Sequence, residues 1–242
     1  MSAASAVGTT ENNMYVGDRD YRQVLIVVIT SNRGLCGAFN TNVIKEAVQF
    51  AEKKYGNSPD PVTIRYMAIG KKGFDALRKR KVLMEAAPKK DIIENPTFDN
   101  AAEVSESLME GFVSKRFDCI DIIYNEFINA ATQKVVFKQF LPLIPEEKKA
   151  KKDNTKHVDY IFEPSKRKII SELIPLNLRV MFYGALLDSI ASEFGARMTS
   201  MHQATDNASS LIQELTLQYN KARQASITNE ILEIVGGAEA LK

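Results

Sequence analysis

Histidine and cysteine are scarce in this chain, and each shortage narrows what the chain can do. The 242 residues include two histidines, His157 and His202, and two cysteines, Cys36 and Cys119. Neither histidine stands near a cysteine or carboxylate pattern that would make a metal site or a catalytic triad. Both read as surface residues. The cysteines lie far apart and form no metal-spaced cluster; a reduced cytosolic protein is the simplest reading, with a disulfide as the alternative. Long apolar runs are lacking too, since none approaches the ~20 residues that span a bilayer. Residues 1–13 have neither the basic start nor the apolar stretch of a signal peptide. Attachment to a membrane would go through another protein, with no direct insertion. Charge of one sign is also missing: 32 Lys and Arg stand against 30 Asp and Glu, a net charge of +2. No global field draws such a chain onto nucleic acid or an anionic surface.

What is present suits a soluble globular fold. The composition is 45% hydrophobic and 26% charged, enough apolar material for a core. The length fits one domain with a sizeable extra element, or two small domains. Residues 1–20 are small and polar and read as a tail. Residues 24–30, Val-Leu-Ile-Val-Val-Ile-Thr, are continuously apolar and β-branched, the pattern of a strand covered on both faces of a parallel sheet. Residues 31–39 form a turn with two glycines, and Asn40 or Asn42 can cap a helix running to about Lys54. Pro59 and Pro61 mark a loop. A second strand is expected over 62–69, then a short basic helix, opened by Gly70 and Gly73, to about Arg80. A weak third strand is expected over 81–87. Asn100 with Glu103 resembles a capping box of a helix ending near Phe117. Residues 118–127 and 133–141 read as strands paired through a turn at 129–132. This order predicts an α/β fold, a Rossmann-like domain with a mainly parallel sheet. Residues 142–157, with two prolines and five lysines, read as a solvated loop. A short segment, 158–162, precedes a helical stretch from Ser165 that is expected to break at Pro175.

After Pro175 there is no further proline. Residues 176–235 are strong helix formers, and at ~1.5 Å per residue they make a helix of about 90 Å. That far exceeds the ~11–12 residues of an average helix. The apolar residues repeat every seven. Val180, Leu187, Phe194, Met201, Ala208, Leu215 and Ala222 share one heptad position; Tyr183, Ile190, Ala204, Leu211, Ala225 and Leu232 share its companion. Such a seam packs against another helix in a left-handed coiled coil. Arg197, Gln218 and Asn229 interrupt it. The alternative is a series of ordinary bundle helices. The expected domain plan is a polar tail at 1–20, a globular α/β domain at 21–163, and the long C-terminal helix at 164–242.

The turn at 31–39 sits between a buried strand and a helix, where phosphate-binding loops occur. It has neither G-x-G-x-x-G nor G-x-x-x-x-G-K-[ST], and a bare Gly-x-x-Gly turn is more often structural. Cys36 beside Arg33 lacks the histidine that a nucleophile would need. No acid, base and nucleophile assemble, so no catalytic, cofactor or metal residue is assigned and an independent enzyme is not expected.

Two segments resemble a known family. Residues 29–40, Ile-Thr-Ser-Asn-Arg-Gly-Leu-Cys-Gly-Ala-Phe-Asn, are similar to the first-strand motif of F-type ATP synthase gamma subunits, with Asn where Asp is commoner. Residues 196–207 (Ala-Arg-Met-Thr-Ser-Met-His-Gln-Ala-Thr-Asp-Asn), 219–230 (Tyr-Asn-Lys-Ala-Arg-Gln-Ala-Ser-Ile-Thr-Asn-Glu) and 233–237 resemble its C-terminal signature. The resemblance runs from about Val24 to the end. It implies a non-catalytic rotor subunit, an α/β domain beside an antiparallel coiled coil. That shaft threads the ring of alpha and beta subunits and couples proton flow through the membrane rotor ring to ATP synthesis. It implies no cofactor, and a peripheral place on the cytoplasmic face of the bacterial inner membrane. Residue by residue, it places Arg197, Arg223, Gln224 and Thr228 against the beta subunits, and Tyr160 at the foot that meets the membrane ring and the epsilon subunit. The seam would be Leu187, Ile190, Phe194, Met201, Ala204, Ala208, Leu211, Leu215 and Ala222. Members of the family begin with a basic helix, the other strand of the coiled coil; residues 1–20 do not supply it, and truncation of a longer chain is the expectation. The rival readings are a stand-alone nucleotide-binding enzyme and a scaffold that dimerises through its C-terminal helix.

Overall fold

The computed structural model describes residues 14–15, 21–56, 61–86, 88, 91–143, 163 and 165–240. His157 and Tyr160 lie outside them. The chain forms two compact units, Met1–Arg197 and Met198–Lys242.

The first unit is organised by β1 (Gln23–Ile29), six of whose seven residues are buried. A strand apolar on both faces belongs at the centre of a sheet covered on both sides. β1 pairs in parallel with β2 (Thr63–Ile69) on one side and with β3 (Cys119–Phe127) on the other. β4 (Gln133–Leu141) closes the hairpin antiparallel to β3, giving the order β2-β1-β3-β4 among the described residues. The expected strand over 81–87 reduces to one bridge, Tyr66 with Met84. Two 2.8 Å backbone bonds, Leu83 and Glu85 with Tyr66, carry it. Its entry residue Lys81 has a positive φ and Pro88 has no N–H to donate, so the ladder cannot extend.

The alternation of β1 divides the core in two. Val24, Ile26 and Val28 meet α1 (Phe39–Tyr55) and α2 (Lys71–Lys79) through Val43, Ala47 and Leu77. Leu25, Val27 and Ile29 meet α3 (Phe98–Val113) and the first turns of α4 (Lys166–Ala240) through Leu108, Phe112, Leu178 and Phe182. A buried polar network pins the end of α1 to β3. Lys54 pairs with Asp121 at 3.0 Å, and the Tyr55 hydroxyl donates to Asp121 at 2.6 Å and lies 3.3 Å from the Cys119 sulfur. Burial, then the Asp121 carboxylate, pushes the Cys119 thiol up to about 11, against the pull of Tyr55 and Lys54. Both cysteines are buried and free.

Several expected boundaries move. α1 starts at Phe39 with Ala38 as its cap and no side-chain bond. Asn40 is instead drawn to Ser31. α3 is capped by Thr97, whose side chain accepts from the Asn100 N–H, and it ends at Val113 rather than near Phe117. The tail expected over 1–20 is anchored within: the Tyr15 carbonyl accepts from the Leu143 N–H at 2.8 Å, and Tyr15 packs on the α3–α4 core.

The largest correction is at Pro175. α4 begins after Ser165, whose hydroxyl accepts from the Lys168 N–H, and runs unbroken through the proline for 75 residues. A proline inside a helix costs about 3 kcal/mol. Ile174 on one side of it and Leu178 on the other both pack on the same core, so a break would expose both. The compact unit correspondingly extends to Arg197, not to 163, because the start of α4 buries Leu178, Phe182, Ala185, Leu186 and Ala196.

The second unit is the remainder of α4. From 201 to 239 every side chain is exposed except the half-buried Asn220. By length and composition alone, one helix among the described residues, Ser171–Glu239, is long and apolar enough to cross a membrane, with a window of mean hydropathy 1.3. The sequence expectation counted uninterrupted apolar runs, whereas this window includes interspersed polar residues. Part of that helix lies in the domain core.

Candidate functional site

In an open α/β sheet, ligands enter the crevice at the carboxyl ends of the strands where the strand order reverses. Here β1 is followed by β2 on one side and by β3 on the other, so the crevice lies between the ends of β1 and β3. The loop at 31–38 forms one wall. Within it the Ser31 N–H donates to Asn40 Oδ1 at 2.9 Å, and Asn40 Nδ2 donates to Ser31 Oγ at 2.7 Å and to Cys36 Sγ at 3.2 Å. Ser31 Oγ in turn donates to the Arg33 carbonyl at 2.6 Å. These bonds fold the loop on itself. Within it Leu35 has a positive φ of 63°, and its side chain is 77% exposed.

The crevice is filled by α4. Ser192 Oγ donates to the Asn125 carbonyl at 3.0 Å near the end of β3. Gly195 passes so close to the β3–β4 turn that a Cβ there would sit 3.2 Å from both Ala130 Cα and Phe127 Cε2. Ala196 packs with Cys36 and Phe39. Arg197 Nη2 donates to the carbonyls of Gly34 at 3.3 Å and Arg33 at 3.5 Å, and pairs with the 7%-exposed Glu193 at 2.7 Å. A phosphate needs N–H groups or cations aimed at it. This loop turns carbonyls toward an arginine of its own chain, which does not suit a nucleotide.

Asp188, one turn before, faces Glu126 and Lys138. Burial, then the Glu126 charge, raises its pKa against the pull of Lys138. The folded protein therefore holds this proton more tightly than the unfolded chain, and stability falls as pH rises from the ordinary aspartate range through the raised value. Asp188→Asn is expected to raise the melting temperature at pH 7. The gain should vanish below the ordinary aspartate range; a gain independent of pH in thermal melts would contradict the assignment.

A cavity of about 350 Å³ opens elsewhere in the domain, lined by Met67, Glu85, Asn100, Glu103, Arg116 and Phe117 among others. The buried Glu85 carboxylate in it is bound by Arg116 and, at 3.5 Å, by Arg65. Two guanidiniums thus meet one carboxylate, which ties Glu85 into an ion-pair cluster.

The structure divides the expected seam. Ile190, with Tyr183, packs against the domain core, and the Tyr183 hydroxyl donates to the Pro96 carbonyl. Leu187 and Phe194 face outward at 40% and 64% exposure. Met201, Ala204, Ala208, Leu211, Leu215 and Ala222 are all exposed on the second unit. Arg223, Gln224 and Thr228 are exposed as well, and Thr228 Oγ1 donates to the Gln224 carbonyl at 2.8 Å. Arg197, expected at the beta subunits, is half-buried and bonded to the loop of its own chain. No periodicity signals that contact, because its partners are backbone carbonyls 163 and 164 residues away.

The ATP synthase family matches residues 1–241 of this sequence. An ATP synthase gamma chain of Cytophaga hutchinsonii is 47% identical over 240 residues, covering 98% of this chain and 80% of that one. The chain belongs to the ATP synthase gamma-chain family. A gamma chain of Flavobacterium psychrophilum is 52% identical over 229 residues, 94% of this chain and 76% of that one. A chain in the rotor of the Euglena gracilis mitochondrial ATP synthase is 25% identical with a TM-score of 0.60, covering 85% of this chain and 75% of that one. Another in the Euglena OSCP/F1/c-ring assembly shares the fold, with a TM-score of 0.67 at 23% identity over 100% of this chain and 81% of that one. Gamma-chain membership gives the loop motif at 31–40 a structural sense. Its serine, asparagine and cysteine shape a socket for α4.

Proposed function

We propose that this gamma chain is the central-stalk rotor of an F-type ATP synthase, coupling transmembrane proton flow to ATP synthesis in the alpha/beta ring without a catalytic site of its own. The observation that carries this reading is the second unit: a helix whose leucines and isoleucines, among them Leu211, Leu215, Ile231 and Leu232, are 53–62% exposed. A soluble chain rarely leaves so many large apolar side chains in water unless a partner covers them. A stiff helix with an asymmetric surface acts as a ligand whose contacts change with its angle. It shifts the conformational equilibrium of each surrounding subunit by the difference in contact energy between states.

The relatives support a peripheral place in a membrane-bound complex; the cytoplasmic face of the bacterial inner membrane is part of this proposal. So are the partners, namely the alpha, beta and epsilon subunits and the membrane ring, with Tyr160 at the ring-facing foot. Arg223 and Gln224 would donate to the beta subunits, and Thr228, its proton already given to the helix, would accept. In membrane vesicles carrying the assembled complex, Arg223→Ala with Gln224→Ala is expected to lower proton-driven ATP synthesis at least roughly tenfold, the scale of a single charge-assisted bond. Undiminished synthesis would remove these contacts. A chain that fails to associate with alpha and beta subunits would overturn the rotor reading.

A further inference from the structure

Resting on the rotor reading, we propose that Arg197 is a positioning residue acting inside its own chain: it locks the loop at 31–38 onto the 192–197 stretch of α4 and so keeps that stretch seated in the crevice of the α/β domain. The lock has three parts at the end of the compact unit. Arg197 grips the Gly34 and Arg33 carbonyls. Ala196 packs against Cys36 and Phe39. Gly195 and Ser192 meet the hairpin from the other wall of the crevice. The helix is thus held from two sides at the place where such folds hold a ligand. All these contacts are made by one terminal nitrogen, Nη2, which the planar, always-charged guanidinium holds in a fixed direction that a flexible lysine reproduces only in part. The partners explain the backbone of Leu35. A leucine with positive φ is strained and persists only where its surroundings over-determine it. The carbonyls that Arg197 holds are those of the two residues just before it. Glu193 completes the device, since its buried carboxylate fixes the guanidinium one turn along the helix.

The test is made in the assembled complex and pairs Arg197→Ala with Glu193→Gln, so that no buried carboxylate is left without a counter-charge. Amide hydrogen exchange over residues 33–38 is expected to quicken about tenfold, the scale for losing a charge-assisted contact in a local opening. Proton-driven ATP synthesis should fall with it, and Glu193→Gln with Arg197→Lys should recover part of both. Adding Ala196→Cys to the alanine variant provides a covalent substitute: oxidation with diamide joins it to the native Cys36, confirmed by peptide mass, and coupling should return. Slow exchange in the alanine variant would overturn the lock. So would a verified crosslink that leaves synthesis low, the result expected if Arg197 works instead by touching another subunit. Failure of the crosslink to form would contradict the packing of Ala196 on Cys36 on which the lock rests. The exchange result does not depend on rotation, so it separates failure of the lock from failure of the rotor reading, in which the unaltered chain would support no synthesis.

Discussion

Leu211→Glu with Leu215→Glu is expected to leave the isolated chain as stable as before and yet to abolish its incorporation into a working complex. The two side chains are 54% and 53% exposed. Surface substitutions of that kind usually change stability by no more than ~0.5 kcal/mol, and glutamate forms helix about as readily as leucine. Nothing inside the second unit should register the change. Against a partner the outcome differs. Each substitution would press a carboxylate into an apolar contact, and an isolated buried charge costs several kcal/mol after relaxation. Thermal melts of the isolated chain should therefore overlay, while co-purification with alpha and beta subunits and coupled synthesis should be lost together. A variant that assembles normally would mean that this face is not where the neighbouring subunits grip.

Phe182→Ala should act in the opposite sense, through stability. Phe182 is fully buried between α4 and the sheet, with its ring 6.3 Å from that of Phe140 in an edge-on arrangement. Removing a buried phenylalanine side chain costs ~3–5 kcal/mol. For a chain of this size that is roughly 6–20 °C in melting temperature. The first turns of α4 carry Pro175 and depend on this packing, so local opening should begin there. Calorimetry would read the loss, and hydrogen exchange should place the opening in residues 171–186. A drop of less than about 1 kcal/mol would mean that the docked start of α4 contributes little to the domain.

These two outcomes follow the line along which the sequence was readable. β1 was legible because a strand covered on both faces needs apolar residues at every position, and 24–29 supply them. The β3–β4 hairpin was legible from two apolar runs and the turn between them, and the long helix from the lack of proline after 175. Where local signals competed with tertiary packing, packing prevailed. Pro175 reads as a break but is bridged by Ile174 and Leu178. Asn40 reads as a cap but is used by Ser31. The last docked turns of α4 were hidden for another reason. They run through Ser189, Ser192, Glu193 and Gly195, which look like a solvent face, while Leu187 and Phe194, which look like core, point away. A heptad count finds the surface made for another chain more easily than these last docked turns at 189–197, which are small, partly polar and shaped to backbone, unlike the apolar Leu178, Phe182 and Leu186 before them. Arg197 belongs to those last turns.

Hydrogen exchange of residues 198–240, compared between the isolated chain and the assembled ATP synthase, reads out whether this helix is made to be held by neighbours. A solitary helix in water keeps little protection, because most helical stability in proteins comes from packing. Exchange should be rapid in the free chain and slow by about a hundredfold or more on assembly. Equal exchange rates in the two states would mean that neighbours do not hold the helix.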